Sequence, residues 1–236
     1  MPIGFRVITE IERPDRSLVE QFVGIPPSNI GDVMYRSRCM NPAIRYLGAL
    51  GGTMVGTAIT VRTAPGDNLM VHAALDLAEP GDVLVVDAGG DLSHAIVGEL
   101  MARMAQLKGL AGFVIDGAMR DVAGIRELGF PVYARGATPA GPYKSGPGEV
   151  NVEIACGGVV VRPGDVLVGD EDGIVVVARD EAASVVLAAR AFHTAEIAKQ
   201  EEMLGGLRSM GFASGLEARG CEFLPSARVG QHVQAP

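Results

Sequence analysis

Apolar residues change their period several times along this chain, and each change marks a boundary. Residues 54–63, MVGTAITVRT, are rich in β-branched side chains and predict a strand, which Pro65-Gly66-Asp67 breaks. Leu69 to Leu77 returns to helical spacing. Pro80-Gly81-Asp82 then turns into Val83-Leu84-Val85-Val86, the continuous apolar run of a strand buried on both faces. Residues 94–108, HAIVGELMARMAQLK, predict the clearest helix. Val97, Leu100, Met104 and Leu107 share one face of it, and Glu99, Arg103 and Gln106 another. Met101 and Met104 read as core, and Gly109 is placed to end the helix. Phe113-Val114-Ile115-Asp116 is the next buried strand. Val122 to Leu128 is a brief helix closed by Gly129, and Pro131 to Ala134 a further strand. Strands alternating with helices imply parallel crossovers at the centre of the fold.

The flanks read differently. Residues 1–50 look helical and connective, with a short amphipathic stretch from Arg16 to Phe22 and a helix capped by Ser28 that runs to about Arg36. From about residue 150, VNVEIACGGVVV, DVLVGD and GIVVVA predict short antiparallel strands separated by glycine turns. Asp180 is placed to cap a long helix from Glu181 to about Leu204. The last thirty residues are punctuated by glycine and predict no clear element. Pro80-Gly81-Asp82-Val83-Leu84-Val85 recurs as Pro163-Gly164-Asp165-Val166-Leu167-Val168, a turn-and-strand device used twice.

Composition narrows the function classes. Of 236 residues, 48% are hydrophobic, enough for a substantial core, while 32 glycines and no tryptophan suit tight turns and small-residue packing. The formal net charge is −8 and no segment concentrates Lys and Arg. Nucleic-acid binding is therefore disfavoured, whereas a small anionic substrate is compatible with a locally positive pocket. Cys39, Cys156 and Cys221 lie far apart without CxxC spacing and read as reduced thiols in the cytoplasm. The first fifteen residues carry charges and no apolar signal core, and no run of about 18 apolar residues exists to span a membrane.

Three places carry candidate chemistry. Asp87-Ala88-Gly89-Gly90-Asp91 follows a buried strand, and Asp116 then stands where a ribose-binding acid would in a dinucleotide-binding unit. The third glycine of that fingerprint is missing and Asp91 would repel a pyrophosphate, so a cofactor-binding or methyltransferase reading is disfavoured. The second place is Gly98-Glu99-Leu100-Met101. If the helix starts near Gly98, its free amides face the strand ends and suit a carboxylate; if it starts at Ser93 or His94, they are already bonded. Glu99 is otherwise explained by an ion pair with Arg103 one turn on. The third is Arg120-Asp121, in a loop after a buried strand. Asp121 is either the cap of the helix starting at Val122 or a ligand for a hard cation. Arg120 is either a surface cation or a donor to a carboxylate or enolate oxygen. The four histidines form no HxxxH pair, and no nucleophile elbow is present.

These pieces together resemble the class II 4-hydroxy-4-methyl-2-oxoglutarate/4-carboxy-4-hydroxy-2-oxoadipate aldolases, a family that also contains the regulator-of-ribonuclease-activity A proteins. The resemblance lies in VGTAITVRT (55–63), GDNLMVHAALDLAEPGDVLVVDAGGD (66–91), GELMA (98–102), GFVIDGAMRD (112–121), FPVYARG (130–136) and GDVLVGDEDGIVVV (164–177). Its most specific element is an acid, twenty residues, then Arg-Asp: here Glu99 and Arg120-Asp121. The resemblance implies a layered β/β/α swivelling fold, an α/β sandwich with a parallel central sheet and C-terminal antiparallel strands. It implies a single domain over 1–236, with 50–180 as core and 181–236 as a helix and tail suited to a subunit interface. It further implies a homotrimer or hexamer that uses Mg²⁺ or Mn²⁺ on a small 2-oxo acid. Asp121 would coordinate the metal, Glu99 would hold its waters, and Arg120 would contact the keto or enolate oxygen. The Gly98–Met101 amides would bind the carboxylate. An acid from a neighbouring subunit, Glu196, Glu201 or Glu202, would approach the metal. The implied activity is aldol cleavage or decarboxylation through a pyruvate enolate; the alternative is a non-catalytic regulator that binds a ribonuclease or helicase.

Overall fold

The computed structural model describes residues 3–48, 53–207, 209 and 211–224. The chain forms two units, 1–193 and 194–236. The first opens with β1 (Phe5–Val7), α1 (Arg16–Val19), α2 (Pro27–Val33) and β2 (Arg45–Tyr46). Its centre is β3 (Met54–Thr63), α3 (Leu69–Leu77), β4 (Asp82–Asp87), β5 (Ala95–Val97), α4 (Glu99–Leu107), β6 (Gly112–Met119), α5 (Val122–Leu128) and β7 (Val132–Ala137). The short strands β8 (Gly148–Val150), β9 (Ile154–Cys156), β10 (Val159–Val161), β11 (Val166–Asp170) and β12 (Gly173–Val177) follow. The helix α6 (Ala182–Leu204) begins in the first unit and ends in the second, which also holds α7 (Ala213–Glu217).

The main sheet runs β1-β8-β3-β4-β6-β7-β2. Its centre, β3-β4-β6-β7, is parallel throughout, as the alternation of strands and helices predicts. The antiparallel strands β11 and β8 pair with the two ends of β3. Central strands bury both faces, which is why they read as unbroken apolar runs. Leu84, Val86, Phe113 and Ile115 meet α3, α4 and α5 on one side. Val83, Val85 and Val114 meet the β9–β10 hairpin on the other. A third cluster joins Phe22 and Ile30 to β11, β12 and the first turns of α6. The result is a mixed, layered α/β fold with a large, mostly parallel sheet and appended antiparallel strands.

The repeated Pro-Gly-Asp device is one local structure used twice. Gly81 and Gly164 take φ of +91° and +89°, open to glycine and strained for other residues. In each copy the aspartate then accepts the N–H of the residue three back, at 2.9 Å for Asp82 and 3.0 Å for Asp165.

Several expectations need correction. The segment 94–108 is not one helix: residues 95–97 form a strand against β6, and the helix starts at Glu99. Its apolar face is also not the one expected. Met101, Ala102 and Ala105 are buried, whereas Leu100 is 80%, Met104 51% and Leu107 79% exposed. Later strand pairing decided the N-terminal boundary, and helix pattern alone could not register it. The cap of α2 is Pro26, with Ser28 already inside the helix. Asp180 lies in a 3₁₀ turn, Arg179–Glu181, ahead of α6. The strand β1, inside a stretch read as helical and connective, pairs with β8 some 140 residues on, a partner no local pattern encodes.

Candidate active site

The sheet itself explains the spacing between Glu99 and Arg120. β4 pairs with β6 as far as Asp87 and Asp116, and there β4 ends. The chain turns through Asp87 to Asp91, with Gly89 and Gly90 at φ of +66° and +73°. It then re-enters as β5, which takes over beside β6 with Ala95 opposite Ala118 and Val97 opposite Met119. Gly98 and Arg120 therefore follow the ends of two adjacent parallel strands, where α/β folds collect ligands. A bond from Arg120 N–H to the Val97 carbonyl, 3.0 Å, ties the two exits together.

Gly98 is the pivot. Its backbone is extended, φ −148° and ψ −172°, and it sits at the N-cap of α4. A Cβ here would lie 2.5 Å from Asp121 Oδ2 and 3.0 Å from Arg120 Cγ, so only glycine lets the pair approach. Asp121 stands at the N-cap of α5 in the left-handed region, φ 58° and ψ 39°, with no side-chain bond to its own helix. Its Oδ2 instead accepts the Glu99 N–H at 3.1 Å, at the start of α4. Asp121 thus occupies the cap position, one of its two readings, but without a side-chain cap bond, and its carboxylate faces another helix's positive end. Arg120 Nε lies 3.4 Å from the same oxygen, and both side chains are about two-fifths exposed, 41% and 43%.

Of the four amides considered for a carboxylate, Met101 N–H is spent on the Gly98 carbonyl at 3.1 Å and Glu99 N–H on Asp121. The Gly98 and Leu100 N–H groups have no acceptor among the described residues, so these two are the open donors. The side chains diverge: Met101 is buried, and Leu100 points out. Glu99 makes the ion pair with Arg103, 2.8 Å, that helix spacing anticipates. Its carboxylate also lies against Gly124, where any Cβ would collide with it.

Arg120 and Asp121 line a cavity of about 130 Å³ together with Gly98, Asn68, His72 and Lys144. They also wall a more open cavity of about 310 Å³ beside Thr138 and Pro139. A larger cavity, about 350 Å³, lies by the N-terminal segment, but its Arg13 is committed to Asp82 at 2.9 Å and Glu79 at 3.1 Å. The smaller cavity is therefore the candidate site. Sequence reasoning missed Asn68, His72 and Lys144. Asp67-Asn68 ahead of a helix was a usable signal, whereas Lys144 sits in a Gly/Pro-rich loop that carries none. Asp116 is buried and taken up by Arg135 and by the Gly157 N–H at 2.7 Å. It is not available to a ribose, and a strand rather than a helix follows the glycine turn.

Among the described residues no three His, Cys, Asp or Glu side chains gather as a metal cage. A single carboxylate at Asp121, with Glu99 next to it, fits a hard ion that keeps most of its waters, such as Mg²⁺ or Mn²⁺. It does not fit a four-ligand structural ion. Glu196, Glu201 and Glu202 are exposed on α6, in the second unit.

Fold and site together define an α/β protein with an Arg–Asp pair beyond the ends of adjacent parallel strands. The chain belongs to the RraA-like family, Aldolase/RraA, whose model matches residues 27–176. It is 41% identical over 172 residues to a Halalkalibacterium halodurans protein named "Putative 4-hydroxy-4-methyl-2-oxoglutarate aldolase", covering 73% of this chain and 81% of that one. Among solved structures, Streptomyces coelicolor RraAS2, described as an unusual member of the RNase ES inhibitor RraA family, is 33% identical. The match covers 84% of this chain and all of that one, with a TM-score of 0.71. The RNA-processing inhibitor RraA from Thermus thermophilis is 35% identical over 64% of this chain and 92% of that one, with a TM-score of 0.60.

Proposed function

We propose that this chain is a divalent-metal-dependent carbon–carbon lyase. It cleaves 4-hydroxy-2-oxo acids, or decarboxylates oxaloacetate, and releases pyruvate through an enolate. The observation that carries this is the placement of Asp121. A left-handed backbone turns its carboxylate off its own helix and onto the start of α4, beside Arg120. Such strain at a non-glycine residue is concentrated at functional sites.

Asp121 would hold the metal, and Glu99, whose N–H bonds the Asp121 carboxylate, would hold its waters. When bound, Mg²⁺ or Mn²⁺ supplies Lewis-acid polarisation of the substrate's keto group. The open Gly98 and Leu100 N–H groups and the positive end of α4 receive the substrate carboxylate. Arg120 donates to the keto oxygen and stabilises it as negative charge develops; loss of such a donor typically costs on the order of 100-fold in rate or more. In aldol cleavage the 4-hydroxyl loses its proton to water and becomes the carbonyl of the second product; the C3–C4 bond breaks, its electron pair becomes the enolate, and the enolate takes a proton from water at C3. The test is pyruvate release from these acids. EDTA abolishes it and Mg²⁺ or Mn²⁺ restores it; turnover undiminished after exhaustive chelation contradicts the metal's role.

We further propose a homotrimer or hexamer in which Glu196, Glu201 or Glu202 of a neighbouring copy completes the site. The exposed Leu100, Met104 and Leu107 on α4, next to Arg120–Asp121, support it. The second reading, a non-catalytic regulator, is favoured by the two solved relatives named as inhibitors. Recovery of RNA-processing enzymes in a pull-down, with no turnover of any 2-oxo acid, would establish it. No described helix is long and apolar enough to cross a membrane; we propose a cytoplasmic protein.

A further inference from the structure

The cavity beside Arg120 and Asp121 also reaches a cation that the chemistry above leaves unused. Lys144 lines it together with Asn68 and His72. Its backbone is fixed on both sides. Tyr143 donates to the Gly66 carbonyl at 2.8 Å and accepts the Asn68 N–H at 3.0 Å. Ser145 and Gly146 both donate to Asp67 Oδ2, at 2.6 and 2.9 Å. Asp67 is 3% exposed, and its other oxygen takes the Leu69 N–H, so the first turn of α3 sets where Lys144 leaves the loop. Lys144 forms no ion pair among the described residues.

Two polar atoms on the same wall are left over. Asn68 Nδ2 donates to the Ile96 carbonyl at 3.0 Å, but Asn68 Oδ1 has no partner, and neither has His72 Nε2. Buried polar atoms without partners are costly until a ligand or water satisfies them. Burial, and then the Lys144 ammonium, push His72 below its usual value, so the ring stays neutral and Lys144 is the cation at this end.

We infer that Lys144 is a specificity-determining residue of this cavity: it binds the substrate carboxylate remote from the keto group. The inference rests on the lyase function proposed above. A substrate held by its first carboxylate at α4 and its keto oxygen at Arg120 extends its remainder along the cavity wall to Lys144. The two reactions use that contact differently. In aldol cleavage the remote carboxylate leaves on the second product with its charge intact, and Lys144 holds it equally before and during the step. In decarboxylation that carboxylate departs as neutral CO₂ while its charge passes to the enolate. A cation on it then favours the ground state and opposes the step.

The test compares Lys144→Met and Lys144→Arg in the full chain with Mg²⁺ present. Three reactions are followed: cleavage of 4-hydroxy-4-methyl-2-oxoglutarate, decarboxylation of oxaloacetate, and exchange of pyruvate methyl protons for deuterium by NMR. Lys144→Met raises KM for both dicarboxylates about 10- to 100-fold. The change on pyruvate, which has no remote carboxylate, is much smaller. The kcat for oxaloacetate is unchanged or higher, and Lys144→Arg recovers most of the affinity. An equal loss on all three substrates, or an unchanged KM for the dicarboxylates, overturns the role of Lys144 and leaves the lyase function standing. A wild-type protein inactive in all three reactions overturns both.

Discussion

Gly98 and Asp121 depend on one another at the scale of single atoms. A methyl group at position 98 would stand 2.5 Å from Asp121 Oδ2, against the carboxylate rather than a yielding aliphatic end. Gly98→Ala is expected to lower kcat/KM at least about tenfold and to cost about 1–3 kcal/mol of stability, as overpacking does; steady-state kinetics and urea titration measure the two. His72 gives a pH signature. Its folded value is lowered, by burial first, so the unfolded chain binds more protons just below the ordinary value near 6.5. Its contribution is present above that value and is lost as pH falls through the folded one. His72→Gln should therefore reduce the drop in urea midpoint between about pH 7.5 and about pH 5.5; an equal drop in both proteins counts against it.

Among the elements, the loop from Thr138 to Pro147 closes the cavity because the first turn of α3 holds it. Asp67→Ala leaves the amides of Leu69, Ser145 and Gly146 without their acceptor. The expected loss is about 2 kcal/mol or more, with hydrogen exchange at Ser145 and Gly146 faster than in the wild type. Unchanged exchange there shows that the loop is held by other contacts. The parallel centre was legible in the sequence because Val83–Val86 and Phe113–Ile115 bury both faces and so have no polar alternation to obscure them. The start of α4 was not, because His94 to Val97 has helical periodicity yet is captured as a strand by β6. Arg120–Asp121 was legible as a candidate from its place after a strand. What shows that its side chain does not cap α5 is the backbone at Asp121, which side-chain pattern does not encode. Lys144 and its anchors were out of reach, since Asp67 and Ser145 meet only through the fold.

The whole molecule carries a net charge of −8 yet presents Arg120 and Lys144 to one cavity. Local cations in an acidic protein suit a small anion better than a polyanion. The exposed α4 stripe belongs to this scale as well. Leu100→Glu with Leu107→Glu should convert a trimer or hexamer into smaller species in sedimentation velocity and reduce activity with it. An unchanged assembly places the subunit contact elsewhere. Family membership settles the fold and leaves the chemistry to the site, so the decisive comparison is at Asp121. Wild type and Asp121→Ala, shown by circular dichroism to be equally folded, are assayed together for pyruvate release from 4-hydroxy-4-methyl-2-oxoglutarate and oxaloacetate with Mg²⁺. The account predicts turnover by the wild type and a loss on the order of 100-fold or more in the variant; a variant as active as the wild type would contradict it.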